Sequence, residues 1–337
     1  NATKKSTFFQ AKAIIVAAGG AGQLYKITSN EPSNTGEGYV WAFDIGADLI
    51  DMEFIQFHPT GMAHPKALGN LVTEKVRGHK GYLYNKNMER FMTRYQPERM
   101  ELAGRDEVAR AIYQEVQEGR GTKNGGVYLD VRHLGKEEIL KLVPDVYQNF
   151  EAIGIDISKE MMEITPTMHH VMGGIRITEW GESSVPGFFG CGEVTTSIHG
   201  ANRLGGNSLA EGQVFGRRAG IRSGEFAKNA SFRDVPKDEI EAELTRITSI
   251  LERKNGVHFD DLRTRLKKTM WDNVGIVRNE KNLIRAQKEV EKLAQESNEI
   301  VSTSEELQGV LETVEMIKMA KLIIAAALMR TESRGAH

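Results

Sequence analysis

Lys12-Ala13-Ile14-Ile15-Val16-Ala17-Ala18 is an apolar run that stops at Gly19-Gly20-Ala21-Gly22. A short apolar run closed by glycines reads as a buried strand entering a tight turn. Pro186-Gly187-Phe188-Phe189-Gly190-Cys191-Gly192-Glu193 has the same style and ends on an acid. Two such strands, far apart in the chain, predict one α/β domain with an insertion between its halves. The intervening sequence has a different texture. Residues 44–53 lead into a further strand, and 71–84 have strand character broken by Gly78 and Gly81. Residues 105–118 repeat with helical period, Val108, Ile112, Tyr113 and Val116 sharing one side, and 136–153 form a second helical stretch ending near Gly154.

A helix is expected over 209–227, after the second strand. From Pro236 onward glycine and proline nearly vanish and charge crowds in. The spacing predicts helices over 236–254, 259–273, 279–297 and 304–330, the last capped at Ser304. The expected organisation is therefore 1–52 and 166–230 as two parts of one α/β domain, 53–165 inserted, and 231–337 helical.

The 337 residues carry 44 Lys and Arg against 46 Asp and Glu, a net charge of −2, so no basic footprint for nucleic acid exists. One cysteine, Cys191, excludes an internal disulfide and a cluster ligated by cysteines of this chain alone. A reducing compartment fits this. The longest apolar candidate for a membrane span, 319–329, is too short and contains Lys321. No signal peptide is visible, and the chain, beginning at Asn1, reads as a fragment or processed piece.

His199-Gly200-Ala201-Asn202-Arg203-Leu204-Gly205-Gly206-Asn207-Ser208-Leu209-Ala210-Glu211 carries the most chemistry. Its glycine pair lets backbone approach a ligand. The helix start that follows offers free N–H groups. Arg203 is a planar fork that can grip a carboxylate with two bonds. His58, after a strand-like run and before Pro59, is either a core histidine or a donor to substrate. Thr73-Glu74-Lys75-Val76-Arg77-Gly78 sets an acid three residues before an arginine, either a solvated ion pair or a proton path. Arg105, at a helix start, opposes the helix dipole, which hints at a use elsewhere. His169 and His170 precede Gly173 and Gly174, and neighbours on a strand face opposite ways. No histidine pair has the spacing of a zinc helix, so no metal site is expected. Ser208 lacks the last glycine of a nucleophile elbow, Ala210 standing there. Gly20-Ala21-Gly22 is followed by Tyr25 where a dinucleotide cradle needs its third glycine.

Together these segments resemble the flavoprotein subunit of succinate dehydrogenase and fumarate reductase. The likeness runs through Ala17-Ala18-Gly19-Gly20-Ala21-Gly22, Thr35-Gly36-Glu37-Gly38, residues 51–61, 73–78, Gly104-Arg105-Asp106, Tyr128-Leu129-Asp130, 169–174, Gly192-Glu193 and 199–211. In the tail it includes Val274-Gly275-Ile276-Val277-Arg278 and Ser333-Arg334-Gly335-Ala336-His337. The resemblance implies a Rossmann-like FAD-binding domain, interrupted by an α+β capping domain and followed by a helical domain. It implies interconversion of succinate and fumarate. His58, Thr73, His169 and Arg203 would hold the dicarboxylate. Arg105 would exchange the proton, with Glu74 and Arg77 as its path. Ala18, Gly19, Gly20, Glu37, Glu193, Asn207, Ser208 and Leu209 would contact FAD. Arginine ordinarily keeps its proton, so Arg105 can act only if loss is concerted with refilling.

Glu37 stands where the family often has aspartate. The family's glycine-rich ADP cradle and flavin-bonding histidine, and its carboxy-terminal domain, have no counterpart in these residues. Weak FAD binding by the chain alone is therefore expected. The resemblance further implies an iron–sulfur partner subunit, membrane-anchor subunits reached through it, and a cytoplasmic, peripheral location. Two other readings remain open: L-aspartate oxidase, which shares the Thr-Glu-x-x-Arg-Gly and Gly-Ala-Asn-Arg stretches, and a non-catalytic assembly subunit.

Overall fold

A computed structural model describes residues 6–196 and 198–337. In chain order it contains β1 (Ile14–Val16), α1 (Glu37–Asp44), β2 (Leu49–Ile50), β3 (Ile55–Met62), α2 (Lys75–Gly78) and β4 (Tyr82–Tyr84). Next come α3 (Met92–Tyr95), α4 (Arg105–Gln117), β5 (Val127–Asp130), α5 (Gly135–Leu142), α6 (Pro144–Glu151) and β6 (Met162–Val171). The chain returns through β7 (Gly174–Arg176), β8 (Phe188–Gly190), β9 (Thr195–Thr196) and α7 (Asn207–Asn229). The tail holds α8 (Lys237–Glu252), β10 (Val257–His258), α9 (Phe259–Asn273), α10 (Glu280–Glu296), β11 (Ile300–Val301) and α11 (Leu307–Met329).

The two glycine-closed runs meet. β1 pairs in parallel with β8, Ile14 opposite Phe188 and Val16 opposite Gly190. β2, β7 and β9 form a small mixed sheet. The segment between the runs builds an antiparallel sheet in the order β3-β6-β5-β4. Every residue of β3 is buried. Its register with β6 slips between His58 and Gly61, an irregularity that re-aims side chains.

Most of the buried apolar residues fall into two clusters. One joins Val16, Tyr39 and Ile175 to tail residues such as Leu266, Val290 and Ile323. The other lies under the β3-β6-β5-β4 sheet and includes Leu83, Ile112, Phe150 and Ile164. β3 and β6 enter both, since Ile55 and Val171 belong to the first and Met62 and Ile164 to the second.

Three local expectations are corrected. Within 71–84 only Tyr82–Tyr84 is a strand. Residues 75–78 close a helical turn because Val76 N donates to Thr73 O (3.1 Å) and Gly78 N to Glu74 O (3.2 Å). The stretch 136–153 is two helices, divided where Pro144 opens the second. Proline suits a first helical position and disrupts an interior one. The last helix begins at Leu307, and Thr303 rather than Ser304 exchanges hydrogen bonds with Glu306 before it.

Candidate active site

The site forms where β3, β6 and α4 face the 199–206 loop. Arg105, the first residue of α4, donates through Nε (3.2 Å) and Nη2 (2.9 Å) to one oxygen of Glu74. The other Glu74 oxygen accepts from Arg77 Nη2 at 2.8 Å. Burial raises the Glu74 pKa, but hydrogen bonds and charges from Arg105 and Arg77 outweigh it and hold it below the ordinary carboxylate value. Burial lowers Arg77. The side chain of Glu74 is 42 % exposed and that of Arg77 2 %. The carboxylate is thus the member of the trio that reaches water. Thr73 is half-buried in the preceding turn, beside Val72, whose carbonyl accepts from Thr60 Oγ1 at 2.7 Å.

His58 is buried, and Thr60 fixes its ring. His58 Nδ1 lies 3.3 Å from Thr60 N and 3.2 Å from Thr60 Oγ1. The His58 and His169 rings meet edge-on with centroids 5.3 Å apart. Ser29 Oγ lies 2.9 Å from Nδ1 of His169. Burial drives His58 well below its ordinary value, helped by His169, Arg105, Arg77 and Arg203. His169 is pushed down to about 3 by burial, then by Arg203 and Arg105. Both rings are therefore neutral donors in a field of guanidinium charge.

Arg203 enters from the loop side. It is buried, its Nε has no partner among the described residues, and burial with the nearby charge of Arg105 lowers it to about 10. Gln56, which sequence reasoning passed over, ties the two sides together. Its Oε1 accepts from Arg105 Nη1 (3.1 Å), and its Nε2 donates to Asn202 Oδ1 (2.8 Å) and Arg203 O (2.7 Å). Gln56 is two residues before His58, and a strand's period of two was the available signal. Gly205 must be small here, since a Cβ would lie 3.0 Å from Arg105 Nη2 and from Glu74 Oε2.

A second cluster adjoins the first. Glu193 accepts from Val171 N at 2.9 Å and faces His170 Nδ1 at 3.3 Å. The rings of His170 and His199 meet at 5.4 Å, each leaving a buried Nε2 without a partner among the described residues. A pocket of about 680 Å³ between α4 and the tail is lined by Asp106, Arg110, Arg278 and His337 but not by Arg105 or Arg203. Among the described residues no group of three or more histidine, cysteine or acidic side chains could hold a metal ion.

Residues 1–209 match the FAD binding domain family and residues 263–337 the fumarate reductase flavoprotein C-term family. The chain is 47 % identical over 335 residues to a fumarate reductase (CoM/CoB) polypeptide of Methanothermobacter marburgensis, covering 98 % of this chain and 61 % of that protein. It is 38 % identical to L-aspartate oxidase of Pseudomonas aeruginosa over 334 residues, 98 % of this chain and 60 % of the relative. Its fold superimposes on a variant FrdA of E. coli quinol fumarate reductase with TM-score 0.87 at 34 % identity, covering 96 % of this chain and 59 % of that one.

The chain belongs to the succinate dehydrogenase and fumarate reductase flavoprotein family.

It spans about 60 % of the length of the curated relatives it matches. The cofactor of this flavoprotein family is FAD, and the residues here suit such a group. α7 opens at Gly206 (φ 84°), a left-handed conformation that glycine adopts freely. The first N–H groups of that 23-residue helix are suited to electron-rich atoms. Ser208 lies on this first turn, and Asn207 and Leu209 are exposed there. Ala18 is exposed at the end of β1, beside Gly19 and Gly20. Glu193 lies against Gly20, and the buried Nε2 atoms of His170 and His199 nearby have no hydrogen-bond partner among the described residues. Glu37 is the first residue of α1 and half-buried, with no side-chain hydrogen bond among the described residues.

Proposed function

We propose that this protein carries the dicarboxylate site of a flavoprotein that interconverts succinate and fumarate. The observation that carries this reading is the convergence of two neutral imidazoles, His58 and His169, with two guanidiniums, Arg105 and Arg203, of which Arg203 keeps an Nε unpartnered among the described residues. A doubly charged diacid requires donors at both ends. His58 and Thr73 hold one carboxylate, and His169 and Arg203 hold the other. Bound FAD supplies hydride transfer to or from a substrate carbon. Arg105 holds the proton for the neighbouring carbon at its guanidinium. When Arg105 gives its proton to the substrate carbon, a proton from solvent is relayed through the exposed Glu74 carboxylate that its Nε and Nη2 touch to refill it, and in the reverse direction the proton Arg105 takes up displaces one through Glu74 to solvent. Arg77 keeps Glu74 ionised and oriented. Fixing both carboxylates lets the protein contribute position and field while the cofactor carries the redox chemistry.

Electrons leave through a separate iron–sulfur subunit on this reading, since one cysteine cannot ligate a cluster. Among the described residues no helix is long and apolar enough to cross a membrane. The proposed location is cytoplasmic, on the membrane's cytoplasmic face through partner subunits. L-aspartate oxidase is the second reading, favoured by the 38 % identical relative of that name.

The FAD-loaded protein tests this directly. Arg203→Gln is expected to weaken fumarate binding by about a hundredfold, the loss of a bidentate charged contact. Arg105→Gln is expected to bind fumarate but lose turnover by at least about a thousandfold, consistent with removal of an acid–base group. Near-wild-type turnover in Arg105→Gln would remove that residue from proton transfer. Hydrogen peroxide from aspartate, without dye reduction by succinate, would favour the oxidase.

A further inference from the structure

The first turn of α4 carries three charged residues, each with its own set of partners. Arg105 faces Glu74 and Gln56. Glu107 turns back and caps the helix, accepting from Gly104 N at 2.9 Å. Asp106 serves neither task. Its Oδ1 accepts from Asn202 Nδ2 at 2.7 Å, across the cleft. Its Oδ2 accepts from Arg110 Nη2, also at 2.7 Å, one turn along the helix.

The bond to Asn202 is placed to matter. Asn202 precedes Arg203, and its Oδ1 accepts from Gln56 Nε2, which also donates to the Arg203 carbonyl. Both ends of the Asn202 amide are therefore used, one by β3 and one by α4. The tail braces the same loop from behind. Ala336 N donates to Ala201 O at 2.9 Å, and Arg110 Nη1 donates to Gly335 O at 3.2 Å. Among the described residues Arg203 itself makes one long side-chain hydrogen bond, to its neighbour's carbonyl at 3.4 Å. The loop backbone, rather than the guanidinium's own bonds, sets where that charge sits.

We propose that Asp106 is a positioning residue, a latch that holds Asn202 and so keeps Arg203 poised over the cleft. The latch rests on the reading of Arg203 as a carboxylate ligand. An acid in a helix's first turn also eases the helix dipole, but that role does not depend on Asn202. The latch does, and the two roles separate experimentally.

Fumarate dissociation constants of the FAD-loaded protein, read from flavin absorbance, would be compared for Asp106→Ala, Asp106→Asn and Arg203→Gln. Hydrogen exchange of residues 198–206 would be followed without substrate. Asp106→Ala is expected to raise Kd about tenfold, the loss of one charge-assisted hydrogen bond. Its kcat at saturation should stay within about twofold, since no group that exchanges a proton is touched. Exchange over 198–206 should quicken. Asp106→Asn keeps an oxygen for Asn202 and should restore most of the affinity. Should Asp106→Ala fail to fold, Asn202→Ala removes the same bond from the loop side together with the Gln56 contact, and should raise Kd and quicken exchange over 198–206 at least as much. An unchanged Kd in Asp106→Ala, with Arg203→Gln impaired, overturns the latch. An unchanged Kd in Arg203→Gln instead overturns the dicarboxylate reading, and exchange over 198–206 then decides the latch alone.

Discussion

A methyl group on Gly20 would lie 2.1 Å from Oε1 of Glu193, closer than any real contact permits. That carboxylate also receives Val171 N and faces His170, so it cannot move without leaving buried groups unpaired. Gly20→Ala is expected to displace Glu193, lower stability by about 1–3 kcal/mol and weaken FAD uptake. Thermal melting and flavin titration check this, and a wild-type result in both would mean that Glu193 has room to yield. The residue types of the site were legible because chemistry restricts them: few side chains grip a carboxylate, and glycines mark close approach. Their partners were not legible. Gln56, Asn202 and Ser29 are ordinary polar residues, and only the fold shows that Gln56 joins Arg105 to the Arg203 loop or that Ser29 orients His169. Which member of the Glu74–Arg77 pair reaches water was not legible either, because a sequence has no inside, and Glu74 is the exposed one.

Among the elements, those with a one-sided apolar stripe were readable from the chain. α10 buries Leu283, Ala286, Val290 and Leu293 at helical spacing, and its extent nearly matches the expectation. α2, with four residues, is shorter than any period can reveal. α4 shows how an element can be stabilised by charge as well as packing. Glu115 on its buried face is fully enclosed and accepts from Arg120 (2.7 and 2.8 Å), Asn85 (2.8 Å), Tyr95 (2.7 Å) and Arg94 (2.9 Å). Burial alone would raise its pKa. The bonds from Arg120, Asn85 and Tyr95 and the charge of Arg94 outweigh burial and take it from 4.5 down to about 2. A depressed folded value adds stability above the unfolded pKa, and that stability is lost as pH falls from about 4.5 through 2. Glu115→Gln is expected to cost about 1–3 kcal/mol at neutral pH, since Asn85 and Tyr95 lose a charged acceptor while Arg94 and Arg120 keep Glu89 and Glu118. It should also flatten the loss of stability between pH 4.5 and 2, as measured by urea unfolding at a series of pH values. An undiminished acid slope in the variant would assign that slope to other carboxylates.

At the scale of the molecule, the outline of an interrupted α/β domain with a helical tail was readable because the two glycine-closed strands announce each other. The distribution of the core was not. Separate helical and α/β domains suggest separate interiors, yet the tail helices share one cluster with β1 and α1, Gly36 lying against Met319 of α11. The second cluster is joined to it through β3 and β6, whose paired residues run from one interior into the other. Continuous backbone pairing through both interiors predicts that they unfold together. The three tryptophans provide a test, since Trp41, Trp180 and Trp271 all lie outside the second cluster. Ile323→Ala, in the first interior, is expected to destabilise by about 2–5 kcal/mol and lower the urea midpoint of tryptophan emission. Glu115→Gln lies in the other region, far from any tryptophan in the fold's connectivity, and should lower the same midpoint, with circular dichroism tracing the same transition. A tryptophan transition that ignores Glu115→Gln, or a second step seen only by dichroism, would mean that the β3–β6 pair parts between His58 and Gly61, where its register already slips, and that the capping sheet opens on its own.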